Sequence, residues 1–322
     1  MIYKNLEAGD LTRLSHYYGL RAQKSCDGSP LVSYLYKYYY EVRYCELDDA
    51  LLLSYHGEDG SVYGFLPFCR EEDMAKYFKL QEEYFNKTLG IPLVISSADE
   101  EGVNILKEAG ALNAYEAVRE DDLRDYIYSG NDLRTLAGRK YSKKRNHINK
   151  FLSEYEGRWE YRSLRFEDHE DIERFLNGWM KQKRLQDQGT GTSEEGEAFD
   201  PQEELDGEYR GIKGIINEEA VYDYMKIGGI YIDGELKAFS IGVMSEACSM
   251  AIIDVEKADG SIDGLYQMIN KEFLLHEFPE TELVNREDDV GIEGLRQSKL
   301  SYYPVDFEYK YTLRQTDFSK RD

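Results

Sequence analysis

Residues 250–308 read MAIIDVEKADGSIDGLYQMINKEFLLHEFPETELVNREDDVGIEGLRQSKLSYYPVDFE. Apolar and aromatic residues cluster at both ends of this stretch and recur with helical spacing between them. The pattern predicts strand 249–256, helix 262–277, strand 282–285, a short helix 292–299 and a final strand 307–313. Alternation of strands and helices is typical of an α/β fold in which helices cover a sheet.

An earlier part of the chain follows the same pattern. Residues 61–119 can be laid on residues 250–308 without a gap, and the apolar phases agree along most of the overlap. Tyr77 then meets Tyr266, and Asp99, a predicted helix cap, meets Asp288. Identity is low, but helix phase, strand position and capping acid stay in register. We therefore predict a tandem duplication.

The chain of 322 residues is longer than one hydrophobic core usually organises. We expect an N-terminal domain over residues 1–132, a connecting helix over 133–157 and a C-terminal domain over 158–322. The expected fold class is α/β (α+β), with mixed twisted sheets flanked by helices.

Further elements are predicted ahead of the quoted stretch. In the second half they are strand 159–165, helix 168–184, and strands 225–232 and 236–244 joined by a hairpin turn at Asp233-Gly234. The acidic, glycine-rich segment 186–211 has no periodicity and is predicted to be a loop over one mouth of the second domain.

Composition narrows the class of protein. Hydrophobic residues at 41% and charged residues at 32% are typical of a folded globular protein. No signal peptide or membrane anchor is expected, and four widely spaced cysteines fit a reducing compartment, so we expect a cytoplasmic protein. The scattered cysteines and histidines show no metal-ligand spacing, so no metal is expected.

Charge is unevenly distributed. The net charge of −23 would repel DNA and anionic membranes if it were evenly spread. Residues 133–150, however, contain seven basic residues and no acidic one. This segment could contact a polyanion. It could equally be a solvated helix face that balances acidic surface elsewhere.

Two segments resemble a known family. Residues 285–304, NREDDVGIEGLRQSKLSYYP, are similar to the C-terminal signature of the phosphatidylglycerol lysyltransferase C-terminal domain family and its soluble relatives. Residues 141–151, YSKKRNHINKF, resemble the basic inter-domain helix of that group and, more loosely, of the Fem peptidoglycan aminoacyltransferases. The order of elements resembles that of acetyltransferase-like (GNAT) domains.

This resemblance implies tandem GNAT-like domains that transfer an aminoacyl group from aminoacyl-tRNA to an acceptor hydroxyl or amine. Studied lipid-modifying members also carry a membrane-spanning domain, and no integral membrane association is expected for this chain. The basic segment would then contact tRNA phosphates. The expected tRNA-binding residues are Arg139, Lys140, Lys143, Lys144, Arg145 and Lys150.

Ordinary GNAT domains bind the pyrophosphate of coenzyme A with a Gln/Arg-x-x-Gly-x-Gly/Ala turn at a helix start. In the corresponding residues 257–263 only Gly260 fits, and Asp259 and Asp263 would face the phosphates. The sequence therefore disfavours coenzyme A. In the first half, residues 68–73 have no glycine and three consecutive acids, so that half is expected to be non-catalytic.

The candidate catalytic residues are expected around the strands of the second half. Asp254 or Asp288 could be the base of an acyl transfer, and Arg286 or Lys299 could stabilise the oxyanion. Glu287 or Asp289 could hold the amino group of an aminoacyl moiety. Alternatively, Arg286, Asp288 and Asp289 only make a capped, salt-bridged helix start, with Asp288 as the cap. The full set of expected substrate-binding residues is Glu256, Glu287, Asp289, Arg296 and Tyr302.

The favoured function is that of an aminoacyltransferase that uses aminoacyl-tRNA as donor. Two alternatives stay open. One is an N-acyltransferase that uses acyl-CoA to modify a small amine, and the other is a binding protein that kept the fold without the chemistry.

Overall fold

The computed structural model describes residues 1–187, 201–245 and 247–319. It divides into two compact units. The first consists of Met1–Ser129, Met244–Ile252 and Glu282–Asp322, and the second of Gly130–Val243 and Ile253–Thr281.

Strands and α-helices occur throughout the described chain. The strands are β1 Lys4–Asn5, β2 Glu41–Leu47, β3 Ala50–His56, β4 Val62–Gly64, β5 Phe68–Cys69, β6 Val94–Asp99, β7 Tyr115–Ser129, β8 Trp159–Leu164, β9 Lys226–Ile232, β10 Glu235–Met244, β11 Met250–Ala258, β12 Leu283–Asn285 and β13 Asp306–Gln315. The α-helices are α1 Leu11–Tyr18, α2 Pro30–Leu35, α3 Met74–Glu83, α4 Glu100–Glu108, α5 Gly130–Thr135, α6 Ser142–Glu154, α7 His169–Asp187, α8 Pro201–Ile216, α9 Leu265–Glu277 and α10 Glu293–Leu300.

The first unit is built on a mixed sheet. Its strand order is β1-β2-β3-β4-β6-β13-β7-β12, followed by the first residues of β11. The pairs β4/β6 and β11/β12 are parallel, and the other neighbours are antiparallel. β7 is long because β13 pairs along most of its length and β12 pairs with its end.

The core of the first unit lies under α3 and α4. Met74, Tyr77 and Phe78 have helical spacing and are buried on one face of α3. Asp99 caps α4 as predicted, because its Oδ1 accepts a hydrogen bond of 3.0 Å from the Gly102 amide.

The second unit contains β8, β9, β10 and the remainder of β11, with α9 against β9. The predicted hairpin between β9 and β10 is confirmed: Asp233 and Gly234 both have positive φ, 51° and 81°. The predicted loop 186–211 is wrong in its second part, since residues from 201 onward form α8. Residues 188–200 lie outside the described residues.

The fold class is confirmed as mixed sheets flanked by helices. The compact units, however, are not the contiguous ranges 1–132 and 158–322, because β13 is inserted between β6 and β7 in the first unit. Strand, helix, strand, helix and strand follow one another both from β5 to β7 and from β11 to β13. The tandem duplication itself stays a prediction. No helix among the described residues is long and apolar enough to cross a membrane.

Candidate functional site

The chain leaves the sheet of the first unit after Asn285 and forms a loop over residues 286–291, here called the β12 loop. Glu287 and Val290 have φ values of 55° and 43°, which residues with a side chain rarely adopt. Such backbone strain, about 1–3 kcal/mol per residue, persists only where surrounding contacts hold it. One such contact is a hydrogen bond of 2.6 Å from the Glu287 amide to Asn285 Oδ1.

Lys299, on α10, lies against this loop. Its side chain is buried, and Nζ donates to the carbonyl oxygens of Arg286 and Glu287. Burial, together with the charge of Arg286, lowers the pKa of the Lys299 ammonium. Its own carbonyl accepts a hydrogen bond of 2.9 Å from the Tyr128 hydroxyl, which fixes the end of α10 to β7.

Arg286 is the second cation of this loop. Its guanidinium lies 4.9 Å from the ring centroid of Tyr302 and 5.8 Å from that of Tyr128. Aromatic faces attract such a cation. The structure therefore brings together two of the predicted catalytic residues, Arg286 and Lys299, as adjacent cationic donors of the kind that stabilises an oxyanion. Tyr302, predicted to bind substrate, is buried against Arg286.

Asp289 and Arg296 anchor the loop. Both carboxylate oxygens of the fully buried Asp289 accept hydrogen bonds from Arg296, and they also bind the Tyr126 hydroxyl and the Gly291 amide. Burial opposes ionisation, but the bonds from Arg296 and Tyr126 lower the pKa of Asp289 below its ordinary value. Arg296 also pairs with Asp122 at 2.7 Å. Asp289 and Arg296, both predicted to bind substrate, therefore form an ion pair with each other.

Asp288 does not cap α10, so the predicted cap is wrong, although the predicted salt bridge at the helix start is present between Asp289 and Arg296. α10 begins one residue after Ile292, which makes no capping bond through its side chain. Asp288 Oδ1 instead accepts a hydrogen bond of 3.1 Å from the Val290 amide, inside the loop. Its counterpart Asp99 passes straight into a helix, whereas the two positive φ angles of the β12 loop delay the start of α10.

The other oxygen of Asp288 faces a buried group of charges that the sequence did not reveal. Lys310, on β13, places Nζ 2.8 Å from Asp125 Oδ1, 3.0 Å from Asp27 Oδ2 and 3.6 Å from Asp288 Oδ2. The Cys26 thiol lies 3.2 Å from the same nitrogen. We call these five residues the Lys310 cluster.

The Lys310 cluster holds more carboxylates than ammonium groups. Burial raises the pKa of Asp27 and of Asp288 above their ordinary values. Although burial opposes it, the charges of Asp125 and Asp27 raise the pKa of the Lys310 ammonium. Asp125 is further satisfied by the Asn285 side-chain amide, at 2.9 Å. One oxygen, Asp27 Oδ1, has no hydrogen-bond partner in the described chain.

One sequence signal could have suggested this cluster. Lys310 lies in the middle of a predicted strand, flanked by Tyr309 and Tyr311, where a lysine is unusual if both faces of the sheet are covered. The identity of its partners was beyond local reasoning, because it depends on β13 pairing with β7.

Asp254 and Glu256 lie in the second unit, on β11. Asp254 is buried, and neither of its carboxylate oxygens has a hydrogen-bond partner among the described residues. Burial raises its pKa far above the ordinary value. Glu256 accepts a hydrogen bond of 3.0 Å from the Asn270 side chain. The roles of both carboxylates stay predictions.

The basic segment forms the end of α5, a turn and α6 in the second unit, so the single connecting helix predicted over residues 133–157 is interrupted. Ile148 and Phe151 are buried on one face of α6. Arg145 donates to the carbonyl oxygens of residues 136 and 138, so it braces the turn. Of the expected tRNA-binding residues, Arg139, Lys140, Lys143 and Lys150 are exposed, and Lys144 and Arg145 are half-buried. Lys140 pairs with Asp132, and Lys150 with Asp263, each at 2.8 Å.

In the part of the chain that the structure describes, there is no metal-binding cluster and no disulfide bond. No group of three or more His, Cys, Asp or Glu side chains there is arranged to hold a metal ion. The four cysteines are free thiols, and all except the half-buried Cys248 are buried.

Known proteins resemble this chain along most of its length. The family model described as "Phosphatidylglycerol lysyltransferase, C-terminal" matches residues 20–314. An uncharacterized protein of Mycoplasmoides gallisepticum is 25% identical over 191 residues, which are 59% of this chain and 56% of that protein. The match therefore spans little more than half of the length of that relative.

Two solved structures superpose on nearly the whole chain. A conserved protein of unknown function from Bacteroides thetaiotaomicron is 26% identical, with a TM-score of 0.84 over 98% of this chain and all of the other. The protein called L-PGS from Bacillus licheniformis is 14% identical, with a TM-score of 0.64 over 97% and 93% of the two chains, and so shares the fold. The family model matches most of the chain, including the β12 loop and the Lys310 cluster. This protein therefore belongs to the phosphatidylglycerol lysyltransferase C-terminal domain family.

Proposed function

We propose that this protein is an aminoacyltransferase that moves an aminoacyl group from aminoacyl-tRNA to a hydroxyl or amine of an acceptor. Family membership supports a transferase. The single observation that carries the proposal is the pair of adjacent cations at the β12 loop, the buried Lys299 ammonium and the Arg286 guanidinium.

Transfer of an aminoacyl group exchanges one acyl bond for another. The acceptor oxygen or nitrogen attacks the ester carbonyl and loses its proton. The ester bond to the tRNA ribose breaks, and the ribose oxygen gains a proton. The intermediate carries negative charge on the former carbonyl oxygen, which cationic donors stabilise. In this proposal Arg286 and Lys299 supply those donors.

Asp288 is the proposed base of the first unit. A base works best when its pKa lies near the working pH, and burial raises the pKa of this carboxyl toward that range. Its Oδ1 is held by the Val290 amide, which keeps the carboxylate oriented within the strained loop.

Aminoacyl-tRNA is favoured over coenzyme A as the donor because of charges in the second unit. Asp263 lies two residues before α9, where a bound pyrophosphate would meet the helix N-terminus. This carboxylate pairs with Lys150 and His147, so those two basic groups already bind a carboxylate beside the helix start. The exposed cations around α6 instead offer contacts for a nucleic acid backbone.

The test uses total bacterial tRNA charged with radiolabelled amino acids, incubated with the purified protein. Two acceptor sources are supplied separately, vesicles of phosphatidylglycerol and a deproteinised extract of small metabolites. Transfer of label to one of them is expected. Arg286→Ala should lower the rate about 100-fold or more, as expected when an oxyanion donor is removed.

The matched control is Arg314→Ala, which removes an exposed arginine of β13 in the same unit. It should transfer at the wild-type rate, and both variants should show the wild-type circular dichroism spectrum. Wild-type transfer by Arg286→Ala, or no label above the enzyme-free level with either acceptor, would overturn the proposal.

A further inference from the structure

Asp27 joins the Lys310 cluster from a turn near the start of the chain, Cys26–Gly28. The Ser25 hydroxyl fixes this turn, because it accepts a hydrogen bond of 3.2 Å from the Asp27 amide and donates one of 3.2 Å to Asp27 Oδ2. The Asp27 side chain is buried, and its Oδ2 lies 3.0 Å from Lys310 Nζ. Its negative charge is therefore held beside that ammonium.

The three carboxylates of the cluster share the Lys310 ammonium unequally. Asp125 and Asp27 lie within hydrogen-bond distance of Nζ, at 2.8 and 3.0 Å, whereas Asp288 Oδ2 lies at 3.6 Å. An ammonium has three N–H groups, so the nearer carboxylates take donors that a more distant one would otherwise receive. Asp288 is thus the carboxylate that Lys310 neutralises least.

The two nearer carboxylates differ in how many other contacts they make. Asp125 also accepts hydrogen bonds from the Asn285 side chain, at 2.9 Å, and from the Cys26 amide, at 2.6 Å. Asp125 therefore ties β7 to two other parts of the fold. Among the described residues, the hydrogen-bonding partners of the Asp27 carboxylate are Lys310 and Ser25. Asp27 can therefore act on Asp288 through the shared ammonium.

Four charged groups on other elements face Asp288. Burial is the main cause of its raised pKa, and the negative charges of Asp125 on β7 and of Asp27 add to the rise. Lys310 on β13 and Lys299 on α10 oppose it. Asp27 thus acts on Asp288 in two ways, by its own charge and by its share of Lys310.

Two further titratable groups lie near Asp288 but carry no charge near neutral pH. Burial raises the pKa of the Cys26 thiol and of the Tyr36 phenol well above their ordinary values, so both stay protonated. On the β12 loop itself, Arg286 and Glu287 precede Asp288 and carry opposite charges.

We propose that Asp27 is a positioning residue of the transfer reaction: by holding the Lys310 ammonium closer to itself than to Asp288, it keeps the proposed base able to take up a proton. This inference rests on the function proposed above. It gives a residue of the expected N-terminal domain a part in the chemistry, although that half was expected to be non-catalytic. Asp27 acts through Lys310 rather than on a reacting atom.

Loss of the Asp27 charge would let Lys310 neutralise Asp288 more fully. The Asp288 carboxyl would then lose its proton at a lower pH, because its ionised form would be better stabilised. The acidic limb of a plot of kcat/KM against pH reports the base of the free enzyme. We expect Asp27→Asn to move this limb down by roughly one pH unit.

The test measures kcat/KM for transfer from about pH 4.5 to about pH 8, with charged tRNA and the acceptor that takes up label. Asp48→Asn, which removes an exposed acid of the same unit, is the matched control and should leave the limb at its wild-type position. A purely structural role for Asp27 would lower the rate at every pH without moving the limb. That result with folded Asp27→Asn would overturn the proposal.

A second measurement covers the case in which Asp27→Asn does not fold. The wild-type chain is labelled with ¹³C at the aspartate carboxyl groups and titrated by NMR. Interacting carboxyls titrate together, so the signals of Asp27 and Asp288 should each shift in two steps at shared pH values. Independent single steps would overturn the proposal. Absence of transfer by the wild-type chain would instead overturn the proposed function, and the NMR titration would still decide whether Asp27 controls Asp288.

Discussion

Glu308 shows how a single half-buried side chain couples this fold to pH. It lies on β13, and its Oε1 accepts a hydrogen bond of 3.3 Å from the Glu100 amide. Burial, with a further contribution from the charge of Asp99, raises its pKa to about 7. An acid whose pKa is raised on folding binds a proton more tightly in the folded state. It therefore lowers stability as the pH rises through that value.

We predict that Glu308→Gln removes this pH-dependent loss of folding stability. Between pH 5 and pH 8 the wild-type free energy of unfolding should fall relative to that of the variant by about 2 kcal/mol. Urea unfolding of both proteins at the two pH values measures this difference, in which other titrating groups cancel. A difference that does not change with pH would show that Glu308 titrates normally in the folded chain.

At the scale of elements, α6 and the turn before it contain two kinds of cation, those that stabilise the turn and those that are exposed. Arg145 braces the turn through two carbonyl oxygens, so its loss would disturb the helix start as well as any bound anion. Arg139 and Lys143 are exposed, so replacing them tests phosphate contacts with less disturbance of the turn than replacing Arg145. Each lost phosphate contact reduces the salt dependence of binding by roughly one power of salt concentration.

We predict that the double variant Arg139→Ala, Lys143→Ala binds tRNA about tenfold more weakly at low salt and lowers the slope of log K against log salt by roughly 1 to 2. Filter binding across a salt series measures both quantities. Lys76→Ala, Lys87→Ala is the matched control, because it removes two exposed lysines from the first unit. Equal weakening in the two double variants would point to net charge rather than to a binding surface.

At the scale of the whole molecule, Lys310 joins parts of the first unit that are far apart in the chain. Its ammonium contacts Asp27 near the N-terminus, Asp125 on β7 and Asp288 after β12. Removing one partner from a buried ion group leaves charges uncompensated, which is far more destabilising than losing a surface pair.

We predict that Lys310→Met destabilises the first unit by about 3–5 kcal/mol. Adding Asp125→Asn to this variant should restore part of the loss, since it removes one of the uncompensated charges. Urea unfolding of the single and double variants measures both effects. A loss below about 1 kcal/mol for Lys310→Met would show that the cluster is hydrated rather than buried.

Local sequence determined the kind and phase of most elements. The buried face of α3, the Asp99 cap of α4 and the Asp233-Gly234 hairpin follow from residues within one or two turns of each other, whose spacing is visible in the sequence. Motifs in two short segments also led to the family. Arg286 and Lys299, whose catalytic roles stay predictions, both lie in one of those segments.

Tertiary structure alone decided which distant residues meet. β13 lies between β6 and β7, so Lys310 reaches Asp125, Cys26 and Asp27, and the compact units cross the expected boundary between halves. The pairing of two strands that lie nearly two hundred residues apart in the chain leaves no signal in the sequence. Side chains alternate along a strand in the same way whichever partner it has. The failed cap at Asp288 has the same origin, since contacts with β7 and β13 hold the strained loop that displaces α10.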